Sequence, residues 1–129
     1  MKKHYLQLSI TVLLIIFSFI SCSDEEEENF DLVGVWNRTM ILENGVNIID
    51  DCQNKDIINF SANGTLFGEY YYYENGICEL NDTQNDTWEL SNNTLIIGNG
   101  NIVNITFTNK DTFKLSENGD TEVEIWERN

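Results

Sequence analysis

The apolar and polar positions divide the chain into two unlike parts. Residues 10–20 form an apolar run interrupted by Thr11 and Ser18, with Lys2 and Lys3 ahead of it. From Asp31 onward no stretch sustains the 3.6-residue period of a helix. Short runs rich in β-branched and aromatic residues recur there instead, and they predict strands at 34–42, 56–60, 65–73, 87–90, 94–97, 102–108, 112–115 and 121–127. The breaks carry Asn44-Gly45, Asn63-Gly64, Asn75-Gly76 and Asn99-Gly100, whose residues accept the positive φ of hairpin turns. Links this short oblige sequential strands to pair antiparallel, because a parallel crossover needs about a dozen residues. The prediction is an all-β domain, an eight-stranded up-and-down antiparallel barrel whose closure removes both sheet edges.

Alternation within each run assigns its faces. Val103, Ile105 and Phe107 share a parity, as do Phe113 with Leu115, and Val123 with Ile125 against Glu122 and Glu124. The last three strands are therefore expected to turn those apolar sets inward. In the tyrosine run 70–73, Tyr70 and Tyr72 share a face with Leu66 and Gly68, while Tyr71 and Tyr73 go with Phe67 and Glu69. A three-residue loop at 62–64 would pair Phe60 with Leu66 and send Tyr70 and Tyr72 inward. A two-residue Asn63-Gly64 turn would pair Phe60 with Phe67 and bury the Glu69 carboxylate, which is costly. The first arrangement is expected.

The N-terminal run is too short for a membrane-spanning helix, which needs about 20 residues, and fits the positive and apolar regions of a secretory signal. Phe19-Ile20-Ser21-Cys22 follows it, then Asp24 and four glutamates at 25–28. The tetrad resembles the lipobox of bacterial lipoproteins, with Phe19 where Leu is usual. That resemblance implies a signal peptide over 1–21, lipidation of Cys22 and a lipid anchor with an acidic tether over 22–31, leaving 32–129 as the barrel domain. An ordinary cleaved signal with a leftover cysteine is the competing reading. The acidic run resembles the export signal that carries some Gram-negative lipoproteins to the outer leaflet of the outer membrane, and it also suits a solvated tether. The expected location is the outer membrane, lipid-anchored and facing the cell surface.

Charge and composition narrow the chemistry. The 129 residues hold 22 Asp and Glu against 7 Lys and Arg, a formal charge of −15. Phosphate contacts need clustered cations, so nucleic acid is excluded as a partner. The one histidine, His4, lies in the signal segment, which excludes His-based triads, His metal sites and His pH switches from the domain. With Cys22 acylated, Cys52 and Cys78 form an even pair in an oxidising compartment and are expected to make a disulfide; two buried free thiols are the alternative. Asp50-Asp51 and the Asn81-Asp82 to Asn85-Asp86 stretch offer oxygen ligands but lack the Gly and terminal Glu of a calcium loop, so they are read as solvated acidic turns. No metal and no cofactor is expected, and the domain is expected to be monomeric.

A second resemblance emerges in the domain itself. Leu32-Val33-Gly34-Val35-Trp36 carries the Gly-x-Trp that opens the first strand of lipocalins, and Phe60-Ser61-Ala62-Asn63-Gly64-Thr65 is similar to a hairpin of small bacterial lipocalin-like domains. Trp88-Glu89-Leu90 followed by Asn92-Asn93-Thr94-Leu95 resembles that family's fourth and fifth strands. The resemblance implies a barrel, shallow because no long C-terminal helix follows, and a basic side chain from the last strand over the Trp. Arg128 is the residue available for that position, an exposed terminal arginine being the other reading. Trp36, Tyr70, Tyr72 and Trp88 are the expected ligand-lining aromatics. The expected function is binding of a small, largely apolar molecule in the barrel mouth. The alternative is a structural or interaction lipoprotein with a filled barrel and no ligand. An enzyme is not expected; a two-carboxylate hydrolase drawing on Glu69, Glu89 or Glu124 would need no His, but no motif supports it.

Overall fold

The computed structural model describes residues 30–117 and 119–129. The expected signal peptide, Cys22 and the acids at 24–28 lie outside the described residues. Among the described residues nine strands follow one another: β1 Gly34–Glu43, β2 Val46–Asn47, β3 Ile57–Phe60, β4 Thr65–Glu74, β5 Ile77–Ser91, β6 Thr94–Ile97, β7 Asn101–Asn109, β8 Thr112–Ser116 and β9 Glu122–Arg128. Eight pair antiparallel in sequence order, and β9 returns to β1 to close an up-and-down barrel. The two-residue β2 pairs with the end of β1. Asn44, Asn75 and Asn92 take φ of 50, 51 and 53°, the left-handed turn positions that short hairpins require.

The β3–β4 register pairs Phe60 with Leu66 and Ile58 with Gly68. That is the three-residue loop expected from the sequence, and it leaves Glu69 on the outer face opposite Ile57. Gly68 has a second role: a Cβ there would lie 2.9 Å from the Tyr70 hydroxyl, so its bare backbone makes room for that ring inside the barrel.

Two strands depart from the sequence reading. β5 runs from Ile77, ten residues before the expected start at 87, because its ladder with β4 continues out to Glu74 opposite Ile77. The outer part of this hairpin projects past the barrel with residues 79–83 exposed, so it offers no apolar alternation for a sequence pattern to detect. An extra residue on β5, Asn81, shifts the register between Tyr70 and Tyr71. Tyr70 stays inside, but Tyr72 lies on the projecting hairpin, 45% exposed, instead of facing inward.

β9 is inverted relative to expectation. Phe113 and Leu115, both buried, pair with Trp126 and Glu124, so Glu122, Glu124 and Trp126 face in, while Val123 and Ile125 face out. The apolar pair lost to the larger Trp126, which is fully buried at the opposite parity.

The core concentrates at one end, where Leu32, Trp36, Phe60, Leu66 and Phe113 are buried. Trp36 meets Phe113 edge-on at 4.6 Å between ring centroids, and Phe60 meets Trp88 at 5.5 Å. At the other end a disulfide joins Cys52 to Cys78 across 26 positions, with 5.4 Å between their Cα atoms. It ties the β1–β3 connection to the projecting hairpin, and constraining a loop of that length stabilises by about 3.5 kcal/mol on the chain-entropy estimate.

Candidate ligand-binding cavity

The closed end is sealed from the sequence upward. Trp36 donates from Nε1 to the Leu32 carbonyl at 2.8 Å, fixing the ring across the barrel floor. The Arg128 guanidinium lies 4.2 Å from the Trp36 ring centroid. Its Nη1 donates to the Val33 carbonyl at 2.9 Å and its Nη2 to the Asp31 carbonyl at 2.7 Å. Gly34 explains the Gly of the Gly-x-Trp motif: its φ is +137°, and a Cβ there would sit 2.6 Å from Arg128 Nη1. Trp88 belongs to this end as well, packed on Phe60 with its Nε1 donating to the Ser61 carbonyl at 3.1 Å. Phe30 stacks on Phe107 at 5.1 Å, so the N-terminal segment enters at the sealed end.

The opposite end opens into a cavity of about 220 Å³. Ile58, Ile97, Val103, Leu115 and Trp126 give it an apolar wall. Tyr70, Gln84, Asn101 and Ser116 add neutral polar groups, and the Tyr70 hydroxyl donates to Gln84 Oε1 at 2.8 Å. Four carboxylates complete the lining, Glu117, Asp120, Glu122 and Glu124, with no Lys, Arg or His among the lining residues. Of the four aromatics expected to line a ligand site, Tyr70 lies on this cavity. Trp36 and Trp88 are packed into the sealed end, and Tyr72 lies outside on the hairpin.

Behind the cavity wall sits a charged group. Arg38 shares its parity with Gly34 and Trp36, and Asp56 with Ile58 and Phe60, so both point inward. The Arg38 Nη2 pairs with Asp56 Oδ2, and Nη1 donates to Glu124 Oε1 at 2.6 Å. Asp56 is fully buried and its other oxygen accepts the Tyr71 backbone N–H at 2.6 Å. Glu124 Oε2 accepts the Trp126 indole N–H at 2.9 Å. Arg38 also faces the Trp126 ring at 5.5 Å.

Environment sets the ionisation of this group. Burial opposes the Arg38 charge, but Glu124 and Asp56 outweigh it and raise its pKa above the ordinary arginine value. Burial pushes the Asp56 carboxyl up, offset in part by the Tyr71 N–H and Arg38. Burial, with Glu124 nearby, raises the Tyr70 phenol to about 12. Sequence reasoning missed Arg38 and Asp56, although parity alone places each with residues already expected inside.

Of the acids considered for metal binding, Asp50, Asp82 and Asp86 serve the backbone. Asp50 Oδ1 accepts from the Cys52 and Gln53 amides at 2.9 and 2.7 Å, capping the short 3-10 turn at Gln53–Lys55. Asp82 and Asp86 accept from the amides of Thr83 and Thr87. Among the described residues no group of three or more His, Cys, Asp and Glu is placed to hold a metal ion.

Compared with known families, residues 32–118 match the lipocalin-like domain. No curated protein matches the chain.

Proposed function

The chain belongs to the lipocalin-like domain family, and from that premise we propose that it is a surface-anchored lipoprotein that binds a small ligand in the open end of its barrel. The observation that carries this reading is the contrast between a sealed floor and an opposite cavity of about 220 Å³, where apolar walls meet convergent polar groups. Eight-stranded barrels either fill themselves or hold one small ligand, and this one is filled at one end only. The lining sets an apolar wall beside the carboxylates of Glu117, Asp120 and Glu122, so a ligand with an apolar body and a polar head suits it best.

Acylation at Cys22 supplies the membrane partner in this reading. Phe30 stacks on Phe107 at the sealed end, so a tether to an acylated Cys22 would leave the barrel from that side. The eight Cα-to-Cα steps from Cys22 to Phe30 span at most about 29 Å when extended.

Binding without catalysis is the accompanying proposal. The cysteines of the domain are bonded to each other. Of the acids considered for two-carboxylate hydrolysis, Glu69 and Glu89 lie on the outer wall and Glu124 is held by Arg38 and Trp126.

Mass spectrometry of the protein extracted from its own membrane tests both parts. The expected result is an N-terminal peptide beginning at an acylated Cys22, with a small molecule released on denaturation. An unacylated Cys22 would overturn the anchoring, and an empty protein that also refuses all small-molecule probes would overturn the binding. A docking role has its own support in the projecting hairpin, where Tyr72, Tyr73, Ile77 and Leu80 are exposed. Replacing Tyr73 and Ile77 by Ser would abolish partner capture under that reading and leave ligand binding untouched.

A further inference from the structure

The cavity's charge selects the class of ligand, and this step rests on the binding reading above. Glu117, Asp120, Glu122 and Glu124 face the opening, and the lining includes no basic residue. The nearest buried cation, Arg38, is already held by Asp56 and Glu124 through both terminal nitrogens. An anionic head group entering here would meet four carboxylates and find no free positive charge. A cation would meet the same carboxylates, of which Glu117, Asp120 and Glu122 have no ion-pair partner among the described residues, beside low-dielectric walls of Ile58, Leu115 and Trp126 that strengthen the attraction.

Size limits the choice further. A cavity of about 220 Å³ suits a compact body carrying one charged head.

We propose that the barrel mouth binds a small organic ammonium ion, with its apolar body against Ile58, Leu115 and Trp126 and its charged head among Glu122, Glu124 and Asp120. The body is recognised by the same apolar wall that any small ligand would use. The acids around it provide the selectivity, and they lie on two adjoining segments, β9 and the loop before it.

Calorimetric titration of the full chain in detergent, with three probes of like shape, tests this: 2-phenylethylammonium, 2-phenylethanol and phenylacetate. The ammonium should bind at least tenfold more tightly than the alcohol, and phenylacetate most weakly. Raising the salt should shrink the ammonium's advantage without changing the alcohol's affinity. Glu122→Gln and Asp120→Asn should each weaken the ammonium about three- to tenfold; neither residue touches the Arg38 pair, and Asn at 120 keeps the side-chain oxygen that accepts the Glu122 amide. Glu124→Gln should weaken it as well, read beside a thermal melt because Glu124 also holds Arg38. Equal or better binding of the alcohol or the acid would overturn the cation assignment while leaving the binding site standing. Failure of all three probes would overturn the binding reading itself.

Discussion

The two ends of this barrel each use an arginine against a tryptophan, and they use it differently. At the sealed end Arg128 lies over Trp36 and spends its donors on backbone carbonyls, with Asp111 at 3.4 Å as a solvent-exposed partner. At the open end Arg38 faces Trp126 and is held between two carboxylates, one fully buried. The first arginine closes chain ends over a core whose stability comes from packed rings. The second neutralises charge that would otherwise be intolerable inside a barrel. One end is therefore held chiefly by volume and the other by ion pairing, which is why the space for a ligand, and the polarity to orient one, occur together at the open end.

Removing volume from the sealed end should do the most damage. Trp36 is fully buried against Phe113 and Arg128. Trp36→Ala should destabilise the protein by about 3–5 kcal/mol in denaturant unfolding, with little dependence on pH between 4 and 8. A loss that changed strongly with pH would mean that the sealed end also depends on charge.

Arg38→Met breaks the other kind of contact and should cost about 3 kcal/mol at neutral pH, since Asp56 is left buried without its cation. Here pH should matter, and the sign follows from burial. The folded state keeps the Asp56 proton over a range, starting at the usual carboxylate pKa near 3.8, where the unfolded chain has released it. The contribution of Asp56 is therefore fullest at low pH and is lost as pH rises through its folded pKa. Loss of Arg38 raises that pKa further, so the cost of Arg38→Met should shrink on acidification toward pH 4. A pH-independent cost would show that Arg38 acts by packing alone.

The same division governs what the sequence discloses. The sealed end was legible because its signals are local: Gly-x-Trp, the Phe60 to Leu66 hairpin, and the apolar alternation of 103–107 and 113–115. The disulfide was legible from cysteine number and the oxidising compartment expected from the N-terminal segment. The open end was not, because an apolar-in rule assigns Glu124 outward, and the partner that permits its burial, Arg38, lies 86 positions away. Trp126, two residues on, carried the correcting signal. The first half of β5 escaped for the opposite reason: residues 79–83 are exposed, and their strand geometry comes from pairing with β4. Tyr72 was misplaced with it, since parity assigns a face of β4 but does not say where the strand leaves the barrel.

The smallest expected effect lies at the junction of the two regimes, at Tyr70. Its ring fills the space over Gly68, its hydroxyl donates to Gln84, and its phenol is raised to about 12 by burial and by Glu124. Tyr70→Phe keeps the ring and should cost about 1 kcal/mol at neutral pH, the worth of one net hydrogen bond. In the native protein the contribution of Tyr70 is complete below the ordinary tyrosine pKa near 10 and is lost as pH climbs from 10 to 12, because the unfolded chain ionises first and the folded chain resists. Ultraviolet difference titration should show a phenolate transition near pH 12 that disappears in Tyr70→Phe, and the variant's stability should fall less steeply over that interval. If the native protein lacks that late transition, Tyr70 reaches water freely, and the cavity is wetter on that side than its apolar wall implies.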